Sequence, residues 1–175
     1  RRNFIEGLFL SSGVAGNPDN TTELMIRALE ILRHEYGFRG YIHAKAIPGA
    51  SPELLQQLGF LCDRLSVNME LPSAASLALL APDKTKTNIL APMRQICDNC
   101  AEDAESRALS RRTAGPLAQR KTKTAARAFA PAGQSTQMII GASPESDHHI
   151  LNLSASLYRT LSLKRVFFSA YVPVT

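Results

Sequence analysis

Lys45 and Glu70 are the side chains in this chain best placed to do chemistry. Each sits inside an otherwise apolar run, YIHAKAI and RLSVNMEL, where a charge must give up water. A charge pair buried in this way is either a structural ion pair or one end of a ligand site. The desolvation cost favours the second reading, because it is retained for a ligand or for specificity. Asn68 shares the second run with Glu70, and Ser11, Ser12 and Gly13 close the run GLFLSSG. Gly141 ends the apolar stretch Gln137 to Ile140, and Pro144, Glu145, Ser146 and Asp147 follow it as a helix opening. These groups donate and accept hydrogen bonds, which suits the binding and orientation of a polar ligand. No Ser-His-Asp or Cys-His spacing supplies a nucleophile with its base. His43 alternates with Lys45 on one strand face and, as a lone histidine, reads first as a satisfied core residue. Cys97 and Cys100 form a C-x-x-C on an expected helix without the further ligands that a zinc site needs, so they read as neighbours on one helix face, and Cys62 reads as a small core residue.

The elements that must position these residues alternate. Strands are expected at Leu8 to Ser11, Gly40 to Ile47, Arg64 to Leu71, Gln137 to Ile140 and Arg165 to Tyr171. Between them the periodicity predicts a long helix capped by Thr21 or Thr22 and stopped by Gly37, and a short one over Pro52 to Phe60 behind Ser51. Further helices are expected over Ser73 to Leu80, Lys86 to about Leu109, and Glu145 to Leu161. Such alternation implies the α/β class, with parallel strands joined by right-handed crossovers. A (β/α) barrel, complete or partial, fits better than an open doubly wound sheet. Polar residues recur at the strand ends, and the glycine-rich phosphate turn that opens such a sheet is missing. In a barrel those carboxyl ends carry the site, which selects Ser11 to Gly13, His43 and Lys45, Asn68 and Glu70, Gly141 and Glu145, and Ser169 and Tyr171.

A chain of 175 residues can bury one sizeable core, so one domain, or a piece of one, is expected over residues 1–175. No apolar run approaches the roughly 18 residues that span a bilayer, which excludes a membrane helix. Arg1 and Arg2 run straight into a strand rather than into an apolar leader. Three cysteines, an odd number without secretory context, suit a reduced cytoplasmic setting. The net charge of +5 is concentrated between Ser106 and Arg127, where Arg107, Arg111, Arg112, Arg120, Lys121, Lys123 and Arg127 stand without an acidic neighbour. This basic insertion, at about 106–128, reads as a solvated loop. Its functional alternative is phosphate contact at the barrel mouth through Arg111, Arg112, Lys121 and Lys123, without aromatics for base stacking.

The strings GLFLSSG, YIHAKAIPGA, VNMELP, LLAPDK, FAPAGQSTQMIIGASPESD and RVFFSAYVPV, in this order, resemble a family of radical S-adenosylmethionine proteins. The members resembled are DNA modification or repair radical SAM proteins linked to a uracil-DNA glycosylase-like partner, a group with a helix-hairpin-helix motif. The resemblance implies a partial (β/α)6 TIM-like radical SAM barrel, of which this chain is a fragment holding strands two to six. It implies S-adenosylmethionine and a [4Fe-4S] cluster as cofactors, a 5'-deoxyadenosyl radical as the reactive species, and DNA or a nucleotide as substrate. On the same resemblance Ser11, Ser12 and Gly13 fall at the motif that meets the methionine amino group. Lys45, Asn68 and Glu70 fall among the polar contacts to the cofactor, and Ile140 and Gly141 lie beside the adenine. Two departures stand out. The C-x-x-x-C-x-x-C of the cluster loop is absent, so its ligands are expected upstream of Arg1, and Pro144 occupies a position where related motifs carry glycine. Two rival readings remain: a barrel hydrolase or lyase needing no cluster, and a non-enzymatic nucleic-acid-binding module.

Overall fold

The computed structural model describes residues 5–113 and 127–173. Its centre is a sheet of five strands, β1 (Gly7–Leu10), β2 (Tyr41–Lys45), β3 (Arg64–Ser66), β4 (Gln134–Ile140) and β5 (Arg165–Ala170). They pair in chain order, and every pairing is parallel. Parallel neighbours need a crossover, and helices supply it: α1 (Pro18–Glu30), α2 (Pro52–Leu61), α3 (Ala74–Leu80), α4 (Lys86–Thr113) and α5 (Asp147–Leu161). Phe9 of β1 and Phe167 of β5, on the two edge strands, line one cleft together with residues of all three inner strands. The sheet therefore curls into a half-barrel, as the strand and helix alternation predicts. Among the described residues no helix is long and apolar enough to cross a membrane.

Side-chain alternation divides the sheet into two unlike faces. Ile42, Ala44, Leu65, Val67 and Met138 point to the convex side and join one core with Met25, Leu29, Leu55, Leu58, Ile89, Met93, Ile96, Leu157 and Leu161 from the helices. Contacts run from α1 to α2, from α2 to α4 and from α4 to α5, so the helices form a layer over that side. Gln134 ties the layer down, its Nε2 donating to the carbonyls of Met93 (2.9 Å) and Leu161 (2.7 Å).

Several boundaries differ from the sequence expectation for identifiable reasons. Asn17, rather than Thr21 or Thr22, caps α1: its side chain accepts from the Asn20 amide at 2.8 Å, and Pro18 supplies the first turn. Both threonines are buried inside the helix, with hydroxyls turned back to the carbonyls of Asn17 and Pro18. After Glu30 the helix widens into a π-helical turn, Ile31–Glu35, before Gly37 takes a positive φ of 63°. Ser73, expected inside its helix, instead caps α3, whereas Ser51 precedes α2 without a side-chain capping bond. β3 stops at Ser66 rather than at Leu71, because the Thr136 hydroxyl takes over the next rung, donating to the Val67 carbonyl at 2.7 Å and accepting from the Met69 amide at 2.9 Å. β4 begins at Gln134, three residues before the apolar run that marked it, and α5 begins at Asp147 behind a Ser146 cap. α4 continues to Thr113, so Arg111 and Arg112 lie in its last turn rather than in a loop.

Candidate functional site

In a closed β/α barrel the strand face turned inward is filled with Val, Ile and Leu in packed layers. Here that face carries polar side chains. Ser11, His43, Lys45, Ser66, Asn68, Ser135 and Gln137 line a concave cleft of about 140 Å³, with Phe9 and Phe167 as its apolar walls. Gln137 Nε2 donates to Ser169 Oγ at 2.6 Å, which sets both side chains on the inner face of β4 and β5. Phe9 meets the His43 ring edge to face at 4.8 Å between centroids. Alternation dictates most of this set, since Phe9 and Ser11, His43 and Lys45, Ser66 and Asn68, and Ser135 and Gln137 lie two positions apart, and Thr136 alone breaks the rule.

Two polar atoms of the cleft have no partner. Ser135 is wholly buried with an unpaired Oγ, and His43 Nε2 is buried and equally unpaired. Leaving such a group unsatisfied costs about 1–3 kcal/mol, so native proteins rarely tolerate it without a use. Burial, reinforced by the nearby Arg64 guanidinium, lowers the His43 pKa below its ordinary value and favours the neutral ring.

Glu70 stands at the carboxyl end of the sheet in a left-handed backbone conformation, φ 62°, which is uncommon for a residue with a Cβ. It is held there from both sides. Its amide donates to the Gln137 carbonyl (3.0 Å), its carbonyl accepts from the Ile139 amide (2.7 Å), and it bridges to Met138. Backbone strain enforced in this way clusters at functional positions. The carboxylate faces two ammonium groups: Lys84 Nζ donates to Oε1 at 2.7 Å, and Lys45 Nζ lies 3.7 Å from the same oxygen. Lys45 is thus the looser partner and the one more readily lent to a ligand.

The remaining rim comes from the loop after β4. Gly141 has φ 86° and open space where a Cβ would stand, so a ligand can approach its backbone closely. Glu145 anchors this loop to α3 by accepting from Ser76 Oγ. Burial opposes its ionisation, but hydrogen bonds from Ser143, Ser73 and Ser76 prevail and hold the carboxyl at about 2.

The structure brings Ser11, Lys45, Asn68 and Glu70 to the carboxyl end and inner face, as the sequence reading expects. Ser12 and Gly13 lie on the exposed loop beyond β1, where Ser12 Oγ donates to the Gly13 carbonyl at 2.7 Å. Alternation turns the Ile140 side chain to the convex side, where it lines a separate apolar hollow with Phe168 and Ile150. Sequence reasoning missed Lys84, Ser66, Ser135 and Gln137. Serine and glutamine at alternate positions before MII were the available signal for the last two. His43, read as satisfied, is not.

Of the basic stretch, Arg107 is engaged by Asp103 at 2.7 Å and Arg127 by Asp63 at 2.6 Å. Arg111 and Arg112 are exposed, while Lys121 and Lys123 lie outside the described residues. Cys97 and Cys100 border a hollow beside Gly133, Gln134 and Lys164, at the amino end of β4 and away from the cleft. Burial, with Cys97 and Asp103 adding to it, pushes the Cys100 thiol up to about 11, and burial of Cys62 raises its thiol to about 12. Neither Cys62 nor Cys100 is a poised thiolate. The described residues contain no group of three or more His, Cys, Asp or Glu side chains able to hold a metal ion. No family model matches the chain, and no curated protein shows significant similarity to it.

Proposed function

We propose that this chain is the cofactor-binding and substrate-binding part of a radical S-adenosylmethionine enzyme acting on DNA or a nucleotide. The observation that carries the reading is the polar inner face of the half-barrel, which ends at the strained and doubly paired Glu70. The donor set suits S-adenosylmethionine. Ser11 and Glu70 offer acceptors to its ammonium group, Lys45 a donor to its carboxylate, and Asn68 both kinds of group to ribose hydroxyls. Gly141 leaves room for a flat ring against the backbone. When bound and reduced, this cofactor supplies a carbon radical able to abstract hydrogen. The chain's own part is to hold and orient it and to keep water from the lumen. The described residues do not fit a [4Fe-4S] cluster. A DNA or nucleotide substrate and a uracil-DNA glycosylase-like partner follow from the resemblance, supported by the net charge of +5.

The test is anaerobic reconstitution, with iron and sulfide, of the complete polypeptide that contains this chain, followed by chromatography for 5'-deoxyadenosine. Formation that depends on a cysteine triad preceding Arg1, and that falls at least tenfold in Glu70→Ala together with S-adenosylmethionine affinity, is the expected result. No turnover and no S-adenosylmethionine binding would put the cluster-independent barrel enzyme in its place.

A further inference from the structure

The proposed cofactor contacts leave several residues of the cleft unexplained: His43 and Ser135 on β2 and β4, Ser66 between them on β3, and the partly exposed rings of Phe9 and Phe167 on the flanking strands. Their chemistry is specific. Ser135 is wholly buried with an unpaired hydroxyl, and His43 presents an unpaired ring nitrogen in the same cleft. Both groups can donate or accept, so together they read an edge that carries a donor beside an acceptor. The rings of Phe9 and Phe167 supply apolar surface for the faces of a flat group. The whole cleft, with Ser11, Lys45 and Asn68 among its walls, has a volume of about 140 Å³, which admits one ring system but not a whole nucleotide. No carboxylate lines the cleft, and Arg64 beside His43 disfavours a cation there.

We infer that the cleft between Phe9 and Phe167 is a subsite for a neutral planar heteroaromatic ring of the nucleobase class, with His43 and Ser135 hydrogen-bonded to its edge. This rests on the lumen being the substrate-binding face, as proposed above, and names the part of the substrate that enters it. The sugar and phosphate then lie toward the mouth of the cleft. Ser135 and His43 serve as specificity residues.

The experiment is a titration of the chain with free cytosine and with free hypoxanthine, using toluene as a flat ring without a polar edge. It is read by the ¹⁵N shift of the His43 imidazole and by saturation transfer to the ligand. S-adenosylmethionine is titrated in parallel. The expected result is that at least one base moves the His43 Nε2 resonance while toluene does not, and that Ser135→Ala weakens base binding about tenfold. The imidazole shift is measured on the unsubstituted chain, so the outcome does not depend on a variant that folds poorly. Failure of both bases to shift His43, or equal binding by toluene, overturns the subsite. Base binding without S-adenosylmethionine binding upholds the subsite and overturns the cofactor reading, whereas the converse result overturns the subsite alone.

Discussion

At Glu70 two physical costs meet in one residue, a left-handed backbone and a carboxylate between two ammonium groups, and substitution can separate them. Glu70→Ala removes the carboxylate and keeps the strain of a Cβ at φ 62°, while Glu70→Gly removes both. Because the left-handed conformation costs a residue with a Cβ about 1–2 kcal/mol, the glycine variant should be more stable than the alanine variant by about 1 kcal/mol in urea unfolding. Both variants should lose S-adenosylmethionine affinity alike. If alanine proves the more stable, the backbone at this position is not strained. The Lys45 and Glu70 pair was visible in the sequence because charges interrupted apolar runs. Lys84 was not, since a lysine in a Pro-Asp-Lys turn looks like any solvated loop residue until the fold carries it to Glu70. Ser135 was hidden because polar residues open β4 and only its apolar second half looked like a strand.

At the scale of elements, periodicity located all five strands and the helices between them, and it failed where side chains replace backbone. The Thr136 hydroxyl that ends β3 and the widened turn after α1 have no signature in hydrophobic pattern. Packing between elements is equally unreadable from one segment. Gly59 lies in α2, where the edge of the Phe129 ring occupies the space of a Cβ, and Phe129 is itself buried and stacked edge to face on Phe60 at 5.5 Å. That ring cannot swing away freely, so Gly59→Ala, although favourable for an isolated helix, should destabilise the protein by about 1–3 kcal/mol in denaturant unfolding. The loop after β4 has its own dependence on pH. The Glu145 carboxyl titrates at about 2 in the folded chain and near the ordinary carboxylate value of about 4.3 when unfolded, so its contribution is complete above that ordinary range and disappears as pH falls toward 2. Glu145→Gln should therefore be less stable than the parent at pH 6 and equal to it near pH 2. A stability gap that does not change with pH would mean that the serine hydroxyls do not favour the ionised form.

For the molecule as a whole, alternating strands and helices announced a parallel barrel-like sheet. The polar residues at the strand ends announced which side of the sheet would carry the polar cleft. The charge block misled, since Arg107 is paired with Asp103 one turn earlier on the same helix and Arg127 with the sequence-distant Asp63. Arg127 belongs to the most connected polar cluster at the opposite, amino-terminal end of the sheet. There Asp63 Oδ2 accepts from Arg33 Nη2 (3.0 Å) and from the Ile42 amide (2.8 Å), while Oδ1 accepts from Arg127 Nη2 (2.6 Å). Its backbone adds an amide bond to the Ile42 carbonyl and accepts from the Ala132 amide, both at 2.7 Å. One carboxylate thus joins the turn after α1, the start of β2 and the approach to β4. With the Arg33 side chain only 7% exposed, Asp63→Ala leaves a buried guanidinium without its counter-charge, and a loss of about 3 kcal/mol is expected. A barrel places stability at this end and binding at the other, so the folded fraction of Asp63→Ala should bind S-adenosylmethionine and free bases as the parent does. Urea unfolding monitored by circular dichroism, paired with titrations at a temperature where the variant remains folded, measures both quantities. A fall in affinity of the folded protein would show that the two ends of this half-barrel are coupled.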